Sequence, residues 1–277
     1  MRADLHIHST VSDSSMTIGE VIQAAVQAEL DAIAITDHDT LSHRNQIPLQ
    51  PVAYTDGRGE QRQLKVQAGI EISAYDYEKQ FRVHVLGYRI AKPEIVEKLT
   101  LPTLEARHAN SMKQIQILEA HGYHIDVSRV KKADGQYIYK QHIMDYLTET
   151  GQVPEMFGDF YYQTFKNGGI CDFDICYADP KEAVRAIKDA GGLAVLAHSG
   201  QQQNFELIPG LWEAGLDGLE LNHHANSQAD HQIIRKYAEQ YSLFLTGGSD
   251  SHGRYEPNSP AVGDYLAEES GAEKVVG

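Results

Sequence analysis

The chain has 277 residues and a formal net charge of −15, from 24 basic and 39 acidic side chains, so it can bury a sizeable core as a single domain. This acidic balance argues against non-specific adhesion to duplex nucleic acid, and we expect no duplex DNA partner. The first residues form a strand pattern rather than a basic, apolar leader, and no apolar run approaches the roughly 18 residues that span a bilayer. We therefore expect a cytoplasmic protein with no membrane partner.

The first predicted strand carries two histidines one residue apart, His6 and His8. Because strand side chains alternate faces, Asp4 is expected on the same face as both histidines, and the apolar Leu5 and Ile7 on the other. Two imidazoles on one face form a ready pair of metal ligands, although two ordinary histidines at a polar strand end would fit the pair equally well.

Helix and strand patterns alternate as far as residue 90. A capping-box pattern over Thr17–Glu20 predicts the start of a helix. Residues 40–59, with two prolines, two glycines and little periodicity, are predicted to be mostly loop with a helical turn. Strands are predicted over the apolar or alternating segments 32–36, 66–73 and 81–90.

The composition changes at Pro93, where helices rich in polar residues replace the alternation. Helices are predicted over 104–120 and 137–150, and we assign residues 93–169 to an inserted helical subdomain. The alternation resumes at about residue 170. The helices predicted there cover 180–190, 205–214 and 226–240, and the strands cover 193–197, 218–221 and 243–246.

The chain contains two cysteines, Cys171 and Cys176. Their spacing matches no pattern typical of a zinc site, and disulfides are uncommon in cytosolic proteins. We predict two free thiols.

About seven strands, most followed by a helix, predict an α/β fold in the form of a parallel barrel. In such barrels, ligands and catalytic groups collect at the C-terminal ends of the strands. Potential metal ligands occupy those ends in this sequence, and they are His6, His8, Asp13, His38, Glu71, His84, His198, Asp250 and His252.

Six short motifs surround these residues. They are Asp-Leu-His-Ile-His-Ser, Ile-Thr-Asp-His-Asp, Gly-Ile-Glu-Ile-Ser, Val-His-Val-Leu-Gly-Tyr, Leu-Ala-His-Ser-Gly and Gly-Ser-Asp-Ser-His-Gly. In these motifs and their order the sequence resembles the polymerase-and-histidinol-phosphatase (PHP) family of phosphoesterases over nearly its whole length. The resemblance implies a distorted seven-stranded β/α barrel formed by residues 1–92 and 170–277, with residues 93–169 as an inserted small helical subdomain that caps the substrate.

The resemblance also implies three divalent metal ions. Mixed imidazole and carboxylate ligands suit manganese, zinc or iron better than magnesium or calcium. Carried over residue by residue, the first ion would be held by His6, His8, Glu71 and Asp250. Glu71 would bridge to a second ion completed by His84 and His198, and the third would be held by Asp13, His38 and His252. Two bridged metals would make a hydroxide available near neutral pH to attack phosphorus, with Glu71, His198 and Asp250 as the catalytic ligands.

Two further aspartates lie beside these ligands. Asp4 and Asp37 have positions suited to orient ligating imidazoles as hydrogen-bond acceptors. A role in capping loops explains both residues equally well.

The predicted insertion suggests the substrate. Its segment Lys140-Gln-His142-Ile-Met resembles an Arg-Pro-His-Ile-Ala-like segment of stand-alone family members, which include nucleotide phosphatases and a 5′-to-3′ exoribonuclease. Lysine replaces that arginine, and Gln201 replaces the arginine of a more usual Ala-His-Pro-Gly-Arg pattern, so two bidentate phosphate contacts are missing. Lys140, His142, His223 and Arg254 are the predicted substrate-binding residues. His223 is also a candidate acid for the leaving oxygen, with a loop or ligand-orienting role as its alternative, and Arg254 fits a plain surface role equally well.

The leading hypothesis is a metal-dependent phosphoesterase whose partner is a small phosphorylated substrate, either a nucleoside 3′,5′-bisphosphate or the 5′ end of a short RNA. A histidinol-phosphate-type phosphatase is one alternative, which the insertion disfavours. A non-catalytic metal-binding regulatory module is another, which the complete ligand set disfavours. Metal-assisted amide hydrolysis is the third, and inhibition by phosphate would distinguish it. The sequence predicts no oligomeric state.

Overall fold

The structure is a computed structural model that describes residues 1–130, 137–255 and 259–277. Its strands are β1 (Ala3–Ile7), β2 (Ala32–Ile35), β3 (Val52–Thr55), β4 (Gln61–Asp76), β5 (Phe81–Tyr88), β6 (Leu193–Leu196), β7 (Gly218–Asn222) and β8 (Phe244–Gly247). Its α-helices are α1 (Ile18–Gln27), α2 (Pro93–Ala120), α3 (Val127–Val130), α4 (Lys140–Glu149), α5 (Asp159–Phe165), α6 (Pro180–Asp189), α7 (Ser199–Gln202), α8 (Ile208–Glu213), α9 (Gln228–Tyr241) and α10 (Glu269–Val276). Short 3₁₀ turns cover Ser42–Gln46, Phe205–Leu207 and Gly253–Tyr255.

Seven strands form a nearly closed barrel in the order β1-β2-β4-β5-β6-β7-β8, and β3 pairs with β4 outside this path. A parallel bridge between Ile7 and Ser251 joins β1 to the segment that follows β8. The predicted α/β class and seven-stranded barrel are confirmed.

The prediction of an entirely parallel barrel was wrong at β5, which runs antiparallel to both β4 and β6. Only residues 77–80 separate β4 from β5, too few for the crossover that a parallel pair requires. The Asp76 carboxylate accepts hydrogen bonds from the N–H groups of Glu78 and Lys79, and Gln80 adopts a φ of 63°. This local turn therefore reverses the chain direction.

Residues 40–59 are mostly loop with a helical turn at Ser42–Gln46, as predicted, but the prediction missed β3, which pairs antiparallel with the start of β4. The turn between them is closed by Asp56, whose side chain accepts hydrogen bonds from the N–H groups of Arg58 and Glu60. Gly59 supplies the positive φ of 85° that this turn needs. The four-residue strand is too short to show an alternating pattern in the sequence.

Two apolar layers hold the barrel together. Small and branched side chains fill its interior, among them Ala3, Leu5, Ala34, Leu86 and Val195, and α10 contributes Ala272, Val275 and Val276 to the same cluster. A second cluster lies between the outer face of the sheet and α6, α8 and α9. Lys65 and Arg89 donate side-chain hydrogen bonds to carbonyls of α10, which places this helix at the end of the barrel where β4 begins and β5 ends. The other end of the barrel stays available for function.

The predicted insertion contains α2 to α5 and has its own apolar cluster, which includes Ile115, Leu118, Ile143, Leu147 and Phe165. Helix α2 starts at Pro93, eleven residues before its predicted start, and its first turns pack on the barrel through Val96. The aromatic segment around Phe165 forms α5. These separate clusters are consistent with the predicted division at residues 93 and 169, which stays a prediction. None of the helices within the described residues is long and apolar enough to cross a membrane.

Candidate metal centre

The carboxylate of Glu71, on β4, lies at the centre of the potential ligands and is only 1% exposed. Its Oε1 lies 2.8 Å from His84 Nδ1 and 2.9 Å from His198 Nε2, and its Oε2 lies 3.3 Å from His6 Nε2, 3.1 Å from His8 Nε2 and 3.2 Å from His38 Nδ1. Burial alone would raise the pKa of this carboxyl, but the surrounding imidazoles hold it well below its usual range. Glu71 is therefore an anion that touches five histidines.

Four ligand atoms converge in the group formed by His6, His8, Glu71 and Asp250. The two Nε2 atoms lie 3.3 Å apart, and Asp250 Oδ1 lies 3.2 Å from His6 Nε2 and 3.1 Å from His8 Nε2. His6 Nδ1 contacts Glu220 Oε1 at 3.0 Å, an acceptor that keeps the imidazole proton on Nδ1. His6 Nε2 then faces the carboxylate oxygens of Glu71 and Asp250, an arrangement that requires either a proton on Nε2 or a cation between these atoms. The chemistry of this donor set fits a divalent metal ion.

A second group of ligand atoms is formed by His8, Asp13, His38 and His252. Asp13 Oδ1 lies 3.4 Å from His252 Nε2 and 3.7 Å from His8 Nδ1, and Asp13 Oδ2 lies 3.9 Å from His38 Nε2. Burial is the largest cause that lowers the pKa of His38, to about 3. His38 is thus neutral near pH 7, which is the form that binds metals.

The backbone is unusual at two of these positions. His198, directly after β6, has a φ of 24°, and Asp250, shortly after β8, has a φ of 54°. Residues with a Cβ atom rarely adopt such values, and residues that do are concentrated at functional sites. The structure thus brings all nine predicted metal ligands to one end of the barrel. Their coordination of metal ions stays a prediction.

The alternation predicted for the first strand was wrong. The pairing register of β1 with β2 shifts between Asp4 and Ile7, so Leu5 joins the barrel interior while Ile7 packs in a different cluster with α1. The Asp4 carboxylate accepts hydrogen bonds from the N–H groups of Ser249 and Gly263, and burial raises its pKa to about 6. Asp4 therefore caps loops.

Asp37 also caps a loop. Its oxygens accept hydrogen bonds from the N–H and hydroxyl of Ser9 and from the hydroxyl of Ser12, all at 2.7 Å. Its imidazole partner is His43, at 3.1 Å, which is outside the predicted ligand set. Of the two roles left open by the sequence, loop capping describes the contacts of both Asp4 and Asp37.

Glu220 is a residue of the candidate site that the sequence analysis missed. It is fully buried on β7, and its Oε1 contacts His6 Nδ1 while its Oε2 accepts the N–H of His198 at 2.8 Å. It thereby orients one candidate ligand and holds the backbone of another. The available signal was a single acidic residue between the apolar Leu219 and Leu221.

The predicted substrate-binding residues occupy different places. Lys140 lines a cavity beside the metal ligands, whereas Arg254 lines another cavity, where its guanidinium contacts the carboxylates of Asp145 and Glu149 at 2.8 Å. His142 is buried, and its Nδ1 accepts the N–H of Tyr139. The substrate contacts of these three residues stay predictions.

His223 touches a candidate metal ligand. Its Nδ1 accepts the N–H of Ala225, so in the neutral ring Nε2 carries the proton and donates it to Asp250 Oδ2 at 3.2 Å. This arrangement matches the ligand-orienting alternative for His223.

The cavity that Lys140 lines has a volume of about 320 Å³. Asp13, His38 and His84 form part of its wall, and its cations are Arg82, Arg107, Lys140 and Lys166. Arg107 pairs with Asp39 at 2.8 Å. Among the described residues, the other three cations have no carboxylate within 4 Å. Burial and the nearby Lys166 lower the pKa of Lys140 to about 8. The cavity wall also carries the carboxylates of Asp13, Asp172 and Asp174, and none of them is paired with Arg82, Lys140 or Lys166 within the described residues.

An α/β barrel with imidazoles and carboxylates gathered beside a cavity lined by cations is the arrangement expected of a metal-dependent hydrolase. The model of the PHP domain matches residues 4–256. The chain belongs to the PHP family, and the prediction of a phosphoesterase of this family is confirmed.

Both predicted thiols are free, with Cys171 buried and Cys176 exposed.

Similar proteins have related activities. The chain is 41% identical to a phosphoribosyl 1,2-cyclic phosphate 1,2-diphosphodiesterase of Eggerthella lenta, over 92% of this chain and 95% of that protein. It is 28% identical to a 3′,5′-nucleoside bisphosphate phosphatase of Chromobacterium violaceum, over 90% and 86% of the two chains. It is 26% identical to the 5′-3′ exoribonuclease Rnm of Salmonella typhimurium, over 90% and 84%.

Two solved structures share the fold. A protein from Bifidobacterium adolescentis described as a candidate metal-dependent phosphoesterase has a TM-score of 0.80 and 24% identity, covering 99% of this chain and 94% of its own. A Chromobacterium violaceum protein described as an amidohydrolase with bound sulfate has a TM-score of 0.72 and 24% identity, covering 96% and 91%. At these identities the likeness supports the barrel alone.

Proposed function

We propose that this protein hydrolyses a phosphate ester of a small ribose phosphate that carries a second phosphate group. The observation that carries the proposal is the cluster of five imidazoles around Glu71, which adjoins a cavity with three cations that have no ion pair within the described residues. Three divalent ions, of manganese, zinc or iron, are the proposed cofactors.

We assign the residues to these ions in the groups that the family resemblance implies. One ion would be held by His6, His8, Glu71 and Asp250. A second would be held by Glu71 together with His84 and His198. The third would be held by Asp13, His38 and His252. When bound, such ions activate water for attack on phosphorus and neutralise phosphate oxygens. Glu220 keeps the His6 proton on Nδ1, and His223 donates its Nε2 proton to Asp250. Both contacts aim the lone pairs of ligands into the centre.

The cations of the cavity give the second phosphate a binding site. Arg82, Lys140 and Lys166 surround a space where an anion would relieve their mutual repulsion, which contributes to the low pKa of Lys140. One phosphate at the metal ligands and another at this basic wall would fix the substrate at both ends. Lysine in place of the family's arginine provides a point charge without a bidentate fork.

The volume of the cavity favours a single sugar phosphate. A space of about 320 Å³ lies at the lower end of the range for small-molecule sites. Phosphoribosyl 1,2-cyclic phosphate is the first candidate, supported by the relative of 41% identity that is named for this substrate. A nucleoside 3′,5′-bisphosphate is the second candidate, and the 5′ end of a short RNA is the third.

The test is product analysis with manganese-loaded protein. Phosphoribosyl 1,2-cyclic phosphate, a nucleoside 3′,5′-bisphosphate and a 5′-phosphorylated RNA trinucleotide are assayed side by side, and released phosphate and products are resolved by chromatography. Opening of the cyclic ester of phosphoribosyl 1,2-cyclic phosphate supports the first candidate. Release of phosphate from the nucleoside bisphosphate supports the second, and stepwise release of mononucleotides from the trinucleotide supports the third. His8→Ala is the control, and full activity in this variant would contradict the metal-dependent mechanism. Competitive inhibition by phosphate is expected, and its absence together with amide cleavage would favour an amidohydrolase.

A further inference from the structure

We infer that helix α4 positions the ligand group of Asp13, His38 and His252, so that an ion held there depends on the inserted segment. This inference rests on the metal binding in the proposed function. These three residues lie in separate loops after β1, β2 and β8. Each loop is bonded to α4 or to the residue that caps it.

The first contact reaches a ligand directly. The side-chain amide of Gln141, in the first turn of α4, donates to Asp13 Oδ2 at 3.0 Å. The other oxygen, Oδ1, is the one nearest His252 Nε2, at 3.4 Å. By occupying Oδ2, Gln141 fixes the rotation of the carboxylate and directs Oδ1 at the imidazoles.

The second contact holds the loop of His38. Tyr139, which precedes α4, is 1% exposed, and its hydroxyl donates to the carbonyl oxygen of His38 at 2.9 Å. The Arg107 guanidinium lies 5.1 Å from the centre of the Tyr139 ring and pairs with Asp39, the residue after His38. Asp39 has a φ of 59°, which is an unusual backbone conformation. The Tyr139 bond to the His38 carbonyl and the Arg107 bond to the Asp39 side chain both stabilise it.

The third contact holds the chain just after His252. Arg254 and Tyr255 both bond to Asp145 of α4: the guanidinium lies 2.8 Å from Oδ1, and the Tyr255 hydroxyl donates to Oδ2 at 2.7 Å. Asp145 and Tyr255 are each 2% exposed, so the bond between them is shielded from water, whereas the Arg254 side chain is exposed. The same loop is tied to that of Asp13, since the Arg254 N–H donates to Ser15 Oγ.

The ligand group of His6, Glu71 and Asp250 is supported differently. Its partners belong to the barrel: Glu220 on β7 contacts His6, and the N–H of Asp250 donates to the carbonyl of His6 at 2.7 Å. Loss of an α4 contact should therefore lower the affinity for one ion and leave the affinities for the others unchanged. Loss of partners that orient metal ligands typically lowers metal affinity 10- to 100-fold.

The experiment compares full-length variants of α4. Gln141→Leu removes the amide at similar volume, and Tyr139→Phe removes only the hydroxyl. Thr148→Val is the matched control, because among the described residues the Thr148 hydroxyl bonds within α4 alone, to the carbonyl of Met144. Each protein is loaded with Mn²⁺ and dialysed, and bound manganese per chain is measured by elemental mass spectrometry and by titration calorimetry. Circular dichroism and the unfolding midpoint of the metal-free proteins verify the fold.

In Gln141→Leu and Tyr139→Phe we expect the affinity for one Mn²⁺ ion to fall at least tenfold. Higher Mn²⁺ concentrations should restore the occupancy of that site. Thr148→Val should bind Mn²⁺ as the wild type does. Unchanged stoichiometry and affinity in both test variants would overturn the inference. An equal fall in affinity for every Mn²⁺ ion, or a fall in Mn²⁺ affinity in Thr148→Val, would overturn it as well. A wild-type protein that binds Mn²⁺ but cleaves no phosphate ester would contradict the proposed function alone.

Discussion

Glu220 Oε1 lies 3.0 Å from Nδ1 of His6, and both side chains are fully buried. Burial opposes a charge on either group, yet the pKa of Glu220 is lowered by His6, and that of His6 is raised well above its usual value by Asp250, Glu220 and Glu71. This pair fixes which nitrogen of His6 is available to a metal. It also explains why an acidic residue is tolerated in the middle of an apolar strand.

Replacing Glu220 should therefore weaken metal binding without removing a predicted ligand. In Glu220→Ala we expect Mn²⁺ affinity to fall about 10- to 100-fold, because His6 loses its orienting acceptor and the His198 N–H loses its partner. In Glu220→Gln the Mn²⁺ affinity should fall less, since the amide oxygen can still accept one of these hydrogen bonds. Titration calorimetry measures the affinity. Glu239→Ala, on the exposed face of α9, is the control, and equal effects in both alanine variants would refute this role.

Metal removal should lower stability, since the imidazole and carboxylate ligands lose the cation between them. At a free concentration 100-fold above Kd, one bound ion stabilises the folded state by about 2.7 kcal/mol. For a chain of this size we expect Mn²⁺ to raise the Tm of chelator-treated protein by roughly 5 °C or more. Differential scanning fluorimetry with Mn²⁺, Zn²⁺ and Mg²⁺ measures the shift.

Magnesium should give the smallest of these shifts, because it prefers oxygen ligands. The control is His8→Ala, in which the Mn²⁺ shift should shrink. A shift that is the same in His8→Ala and in the wild type would place the metal elsewhere.

Activity should decline above pH 8 through Lys140. Burial and Lys166 lower the pKa of this ammonium to about 8, so its charge is present below pH 8 and is lost as the pH rises through that value. At pH 9 only about one tenth of the free enzyme keeps the charge, and kcat/KM should fall up to about tenfold relative to pH 7.

Lys140→Arg isolates this effect, because arginine stays charged throughout. The ratio of kcat/KM in the wild type to that in Lys140→Arg should decline between pH 7 and pH 9. Lys140→Met should show low activity with no such decline. A constant ratio would exclude Lys140 from substrate binding.

Asp39 and Arg107 should be coupled in stability. Asp39→Asn retains a residue type that tolerates positive φ, but leaves the largely buried Arg107 guanidinium without its carboxylate, at a cost of about 3 kcal/mol. Urea unfolding of metal-free protein measures this loss. In the double variant Asp39→Asn/Arg107→Met, part of the stability should return, because the unpaired charge is gone. Strict additivity of the two substitutions would show that the pair does not interact.

The sequence by itself determined the order of the elements and the chemistry of the centre. Helix α1 begins at the capping box predicted at Thr17, and the strands that end near His198 and Asp250 fall within a few residues of their predicted positions. Such features depend on local patterns, and a barrel brings the ends of its strands together whatever the details of packing. For this reason nine candidate ligands scattered from His6 to His252 could be placed at one end of the barrel.

Only the tertiary structure decided which groups support that site. The reversed β5 follows from a four-residue turn, and the register shift in β1 follows from its pairing with β2. Glu220 meets His6 across 214 residues of sequence, and Arg254 turns to Asp145 across 109. No local pattern encodes such contacts, because they depend on how buried charges find partners once the barrel and the inserted helices have packed.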